Sequence, residues 1–279
     1  MGVETREGTF NSAGGPQLYR RSWSPGGEPR AAVAIVHGYA EHCGRYQWPA
    51  EQLAGAGFAV HAYDLRGHGQ SEGPRVFVKS FREHLDDLDA FLALVRAEND
   101  DRPVFLLGHS MGGMIVTLYC AIRHREMAGL ITSGAAVSRP GGVLRAMAGV
   151  MGLVARVRPT LGVRRLAAAT VSRDLAVVEA YDTDPLVFRG KMPAATIAAF
   201  GRAIARIAED MDTISLPLLV MHGTADELAP MEGVRALYEA VASSDKTLKL
   251  YEGLAHEILN EPEKEQVMDD LRAWLMARS

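Results

Sequence analysis

The chain has 279 residues, with 48% hydrophobic and 23% charged side chains, a balance that suits a soluble globular protein and excludes a disordered or collagen-like one. A formal net charge of −4 gives no support for nucleic-acid binding, which needs a basic field. Two cysteines, Cys43 and Cys120, make no disulfide framework, and a chain of this size buries about 75% of its unfolded surface without one.

Residues 1–15 are polar and lack a hydrophobic signal core. No apolar run reaches the roughly 18 residues that cross a bilayer. These features predict a cytoplasmic protein with at most a peripheral membrane contact. The first predicted strand is Ala31–Val36, followed by the loop His37–His42. Phe58–Tyr63 is a second strand, after the turn glycines Gly55 and Gly57. Ser80 and Glu83 form a capping box ahead of a helix whose stripe is Phe81, Leu85, Leu88, Leu92 and Val95. Val104–Leu107 is a third strand and Leu130–Thr132 a fourth. Leu216–Met221 and Thr247–Tyr251 come later, and a terminal helix carrying Val267, Leu271, Trp274 and Leu275 opens near Pro262. Strands that are apolar on both faces, alternating with helices, predict an α/β fold with a mostly parallel, doubly wound sheet. From about Ser133 to Ser215 no strand is recognisable, and the stretch is too long for an ordinary connection. Residues 134–215 are therefore expected to be a helical cap insertion, with 1–133 and 216–279 as the core. A pair of ordinary crossover helices is the alternative.

The sharpest chemical signal is Gly108-His109-Ser110-Met111-Gly112, between a strand and the helix from Gly113 to Leu118. A G-x-S-x-G segment in that setting is a nucleophile elbow. Its glycines remove side chains that would strike neighbouring backbone, and the turn lifts the serine hydroxyl clear of the sheet. The hydroxyl needs a base. Asp226 and His256 each follow a predicted strand, in the order serine, acid, histidine expected of such an elbow. Ser110 is thus the candidate nucleophile, His256 the general base and acid, and Asp226 the orienting carboxylate. Glu227, Glu252 and Glu257 are expected to point elsewhere or into solvent. Asp64 is expected to brace the loop Asp64–Gly69. The oxyanion donors are expected to be the backbone N–H groups of Met111, at the helix start, and Tyr39, in the loop after the first strand. His37, His42, His61 and His68 lack metal-ligand spacing, and the chemistry calls for no metal or organic cofactor.

These segments together resemble the monoacylglycerol lipases of the serine α/β-hydrolases. His37-Gly38-Tyr39-Ala40-Glu41-His42-Cys43-Gly44-Arg45-Tyr46 is similar to the family's H-G-x-x-E-H-x-x-R-Y segment, and Asp64-Leu65-Arg66-Gly67-His68-Gly69-Gln70-Ser71 to its D-x-R-G-H-G-x-S. Tyr181-Asp182-Thr183-Asp184-Pro185-Leu186 is similar to Y-x-x-D-P-L in the family's cap. Tyr39 is bulky where members often carry a smaller residue, and Ala40 replaces a frequent glycine. The resemblance implies an α/β-hydrolase fold, a capped acyl pocket and a monoacylglycerol as the small-molecule lipid substrate. It also implies that Glu41, Arg45 and Tyr181 line the glycerol end; a structural ion pair holding the oxyanion loop is the alternative for Glu41 and Arg45. A broad carboxylesterase or lysophospholipase shares most of the pattern, and a non-catalytic ligand-binding protein on the same fold is the reading from another class. An epoxide hydrolase or haloalkane dehalogenase would carry an acid in place of Ser110. The sequence does not set an oligomeric state.

Residues 139–173 hold seven arginines (Arg139, Arg145, Arg156, Arg158, Arg164, Arg165 and Arg173) and no acid. A helix over Val143–Arg156 puts Val143, Met147, Val150, Met151 and Val154 on one face, with Arg145 and Arg156 nearly opposite. A basic amphipathic helix suits a membrane or micelle surface. Met147 and Met151 are expected to form a pliable wall against the substrate. The alternative is that this face packs on the enzyme body with the arginines solvated.

Overall fold

The computed structural model describes residues 2–12, 14–100, 102–123, 126–138 and 142–279; the side chains of residues 142–148 lie outside the described part. In chain order come β1 (Glu4–Asn11), β2 (Gln17–Ser24), β3 (Ala32–Val36), α1 (Gln47–Gly55), β4 (Ala59–Tyr63), α2 (Arg82–Glu98), β5 (Val104–His109), α3 (Met111–Arg123) and β6 (Gly129–Ser133). Then follow α4 (Gly142–Val157), β7 (Gly162–Arg164), α5 (Leu175–Thr183), β8 (Met192–Pro193), α6 (Ala194–Asp210), β9 (Leu218–Gly223), α7 (Met231–Ala240), β10 (Lys246–Tyr251) and α8 (Lys264–Met276).

One sheet has the order β1-β2-β4-β3-β5-β6-β9-β10. The pairs β1/β2 and β2/β4 are antiparallel, and the rest are parallel. Every residue of β3, β4, β5, β6 and β9 is buried, as strands covered on both faces must be. The period of two divides them between two cores. Ala32, Ala34 and Val36 face Leu85 and Leu88 of α2 and Met114 and Ile115 of α3. Val33 and Ile35 face Leu53 of α1 and Trp274 and Leu275 of α8. The doubly wound sheet is as the sequence predicts.

At the start of α2, Glu83 Oε1 accepts from the Ser80 N–H at 3.2 Å, and Ser80 Oγ accepts from the Arg82 N–H at 3.2 Å. Sequence periodicity misses β1 and β2. β1 is an edge strand that buries only Phe10, so it shows no apolar run; β2 buries Leu18, Tyr19, Ser22 and Trp23 without clean alternation. The stretch expected to hold no strand contains β7 and β8, which pair antiparallel with Gly162 opposite Pro193. They are two or three residues long, too short for a periodic signal. Between β6 and β9 the chain also carries α4, α5 and α6. Ala199, Ala203 and Ile207 of α6 join the same core as α3. Asp174 caps α5, its Oδ1 accepting from the Ala176 N–H at 2.9 Å. The loops after β3, β5, β9 and β10 leave the carboxyl edge of the parallel strands, where open α/β sheets bind ligands.

Candidate active site

Ser110 joins β5 to α3 with φ at +52°. That left-handed conformation costs a non-glycine residue about 1–3 kcal/mol, and the neighbouring backbone over-determines it. The Ser110 N–H donates to Ser133 O at 2.9 Å, and Ser110 O accepts from Ala136 N at 3.1 Å and Met114 N at 3.1 Å. A β-carbon on Gly108 would run into the Gly112 carbonyl, and one on Gly112 into the carbonyls of Val36 and His37. The two glycines therefore let the elbow sit directly against the end of β3.

Asp226 lies beyond β9. Its Oδ1 accepts from the N–H groups of Leu228 at 2.8 Å and Ala229 at 2.9 Å, and its Oδ2 from His256 Nδ1 at 2.7 Å. Burial pushes this carboxyl up, but the bond and charge of His256, with the loop N–H groups, hold it below the usual carboxylate range. With Nδ1 engaged, Nε2 is the nitrogen left for proton transfer. His222 stands 3.6 Å from the same Oδ2, fully buried.

The loop after β3 is braced from both sides. His37 Nδ1 donates to Gly38 O at 2.8 Å while its Nε2 accepts from the Leu65 N–H at 2.9 Å, which fixes a neutral tautomer. Burial lowers its pKa to match. Glu41 Oε1 accepts from the Gly38 N–H at 2.6 Å and from Tyr46 Oη at 2.9 Å. With the Gly38 N–H spent, the next peptide donor is that of Tyr39. Ala40 sits at φ +69°, and its carbonyl accepts from the Phe188 N–H at 2.8 Å. Asp64, fully buried, accepts from Cys43 N and Gln70 N at 2.7 Å each and so braces the neighbouring loop. The Met111 N–H opens α3, where the first N–H groups have no intrahelical acceptor and the helix dipole favours negative charge.

Ser110, His256, Tyr39, Met111, Glu41 and Tyr181 all line one cavity of about 340 Å³. Its apolar wall includes Met192, Ile197, Phe200 and Ile204. Asp226 stands behind His256. Arg45 is not on the wall. Its two Nη atoms bond Glu257 Oε1 and Oε2 at 2.6 and 2.7 Å, Nη1 also bonds Glu41 Oε2 at 2.8 Å, and the guanidinium lies 4.7 Å from the centre of the Tyr181 ring. Of the two sequence readings of Arg45, the geometry is that of the buried ion pair. Glu257, expected in solvent, is instead buried, because Arg45 supplies it a matching fork of donors. Glu227 and Glu252 are exposed.

Met151 is half-buried on α4 and does not reach the cavity; the side chain of Met147 lies outside the described residues, as does that of Arg145, and Arg139 lies there altogether. The pliable wall expected of methionines is supplied by α6. Its residues Ile197, Phe200 and Ile204 repeat at helical spacing, a stripe visible in the sequence itself. Arg173 is not a free surface cation, since it pairs with Glu261 and Glu263.

Residues 27–263 match the family described as serine aminopeptidase, S33. The chain is 39% identical over 275 residues to the monoacylglycerol lipase of Mycolicibacterium smegmatis, covering 97% of each protein. It is 35% identical over 270 residues to the monoglyceride lipase of Mus musculus, covering 96% of this chain and 89% of the mouse protein. Among solved structures, the monoacylglycerol lipase of Paleococcus ferrophilus is similar with a TM-score of 0.83 at 32% identity, covering 94% of this chain and 99% of that one. The chain belongs to the serine aminopeptidase S33 family of α/β-hydrolases, among the monoacylglycerol lipases.

Proposed function

We propose that this chain hydrolyses the ester of monoacylglycerols to glycerol and free fatty acid through an acyl-enzyme. Ser110 Oγ attacks the ester carbonyl as its proton passes to His256 Nε2, and Asp226 keeps the imidazole in the tautomer this needs. The N–H groups of Tyr39 and Met111 receive the tetrahedral oxyanion. His256 then protonates the departing glycerol oxygen, and a water it activates releases the acid. The acyl chain lies along Ile197, Phe200 and Ile204, and the glycerol hydroxyls meet Glu41 and Tyr181. The observation that carries this reading is a strained serine elbow opening on the same cavity as a histidine bonded to a buried aspartate.

Residues 134–215 act as the cap over that cavity. On α4, Val150, Leu153 and Val157 are 60%, 63% and 77% exposed and share one side of the helix, beside the exposed Arg156. This apolar strip with a basic border fits transient seating on a lipid surface by a cytoplasmic enzyme. Among the described residues no helix is long and apolar enough to cross a membrane.

The test is a hydrolysis panel of mono-, di- and triacylglycerols of graded chain length, with a lysophospholipid and a dipeptide amide. Monoacylglycerols are expected to give the highest kcat/KM. Equal turnover of all simple esters would instead make the chain a broad esterase, and preference for the amide would make it a peptidase.

A further inference from the structure

His256 and the loop carrying Tyr39 leave the sheet from strands that are not neighbours. β10 is separated from β3 by β5, β6 and β9, which is four strand spacings, or about 19 Å at the sheet. The bond to Asp226 fixes the rotation of the imidazole but ties it only to the loop after β9. Base and oxyanion donor must nevertheless keep a set separation across Ser110, because a misplacement of about 1 Å can cost about a hundredfold in rate.

One chain of hydrogen bonds spans that gap. Glu257, the residue after His256, takes both Nη atoms of Arg45 at 2.6 and 2.7 Å. Arg45 Nη1 also donates to Glu41 Oε2 at 2.8 Å, and Glu41 Oε1 accepts the Gly38 N–H at 2.6 Å, one residue before Tyr39. Asn260 Nδ2 occupies Glu257 Oε2 at 2.9 Å. The side chains of Arg45, Glu41 and Glu257 are 10%, 4% and 5% exposed, so water screens them little.

The charges do not balance. Two carboxylates share one guanidinium, which leaves the cluster net negative. A buried pair that serves only stability needs a single acid, and a second is costly to desolvate. The second acid is what completes the link: without Glu41 the guanidinium would hold only the His256 loop, and without Glu257 only the Tyr39 loop.

We infer that Glu257 and Arg45 are positioning residues, which lock the His256 loop to the Tyr39 loop across the elbow. The inference rests on the hydrolytic reading of this cavity. In the step concerned, the Oγ–C bond forms as the Oγ proton moves to Nε2, and the ester C–O bond to glycerol then breaks as that proton passes to the glycerol oxygen.

The experiment is steady-state hydrolysis of soluble monobutanoylglycerol across pH by the full chain and three variants, each checked for folding by thermal denaturation. In Glu257→Gln, kcat is expected to fall about tenfold with KM within about twofold. Glu257→Asp keeps a carboxylate for the Arg45 fork and is expected to restore much of kcat. Arg45→Lys keeps the charge but loses the fork, so kcat falls with KM little changed. A folded Glu257→Gln with unchanged kcat, or one that only raises KM, overturns the inference. If Glu257→Gln does not fold, Arg45→Lys decides, and normal kcat there overturns it. A wild-type chain inert to both this ester and a fluorophosphonate removes the hydrolytic reading itself, whereas an active wild type with indifferent variants removes only the clamp.

Discussion

His37, His68, His84 and His109 are packed around the elbow and the loop after β3, all nearly inaccessible to water. Burial dominates each and lowers its pKa from the ordinary 6.5; His68 falls to about 3 and His109 to about 4. Below pH 6.5 the unfolded chain takes up protons that these folded rings refuse, so stability falls as pH falls. Each fully shifted ring contributes about 1.4 kcal/mol per pH unit until its folded pKa is reached. The thermal midpoint is expected to drop steadily from pH 6.5 to about 4, before the carboxylates such as Asp226 begin to protonate. A flat midpoint down to pH 4.5, followed by DSC or circular dichroism, would contradict the burial of neutral rings. Ser110, Asp226 and His256 were legible as candidates because each residue type stands at a recognisable strand end. Glu257 was not. Its partner Arg45 is 212 positions away, and nothing local distinguishes a paired acid from a solvated one.

Among the elements, β3, β4, β5, β6, β9 and β10 were legible as apolar runs bounded by turns, while the edge strands β1 and β2 were not. The face of α4 was misjudged for a physical reason. The segment Gly142–Val157 is amphipathic, but its apolar arc is wide and holds Val150, Leu153 and Val157 as well as Met151 and Val154, and periodicity does not say which part of that arc meets the protein. The structure half-buries Met151 and Val154 and turns Val150, which had been grouped with them, to water with Leu153 and Val157. The exposed strip has a direct consequence. Leu153→Ser with Val157→Ser is expected to weaken sedimentation with anionic phosphatidylglycerol vesicles about a hundredfold or more, since each buried apolar side chain is worth about 1.5–3 kcal/mol. Turnover of monobutanoylglycerol, which needs no lipid surface, is expected to stay within about twofold of wild type. Equal vesicle binding by the variant would remove α4 as the seating element.

Over the whole molecule, four loops from β3, β5, β9 and β10 meet above the carboxyl edge of one sheet, and three contacts stitch the stretch 181–188 onto the first of them. Tyr181 stacks on Arg45, Asp184 Oδ2 bonds His42 Nε2 at 2.8 Å, and the Phe188 N–H bonds Ala40 O at 2.8 Å. Alternation of strands and helices made the sheet legible, and the order of serine, acid and histidine made the convergence legible. The cross-links between loops were beyond sequence reasoning, because they depend on distances that no local pattern encodes. In the proposed reaction Ser110 is the nucleophile of this convergence. Fluorophosphonate labelling of the intact protein, mapped by peptide mass spectrometry beside turnover of Ser110→Ala, tests it most directly. A single adduct on Ser110, with turnover lowered about a millionfold in the variant, is the expected result. An adduct elsewhere, or near-normal turnover without the Ser110 hydroxyl, would contradict it.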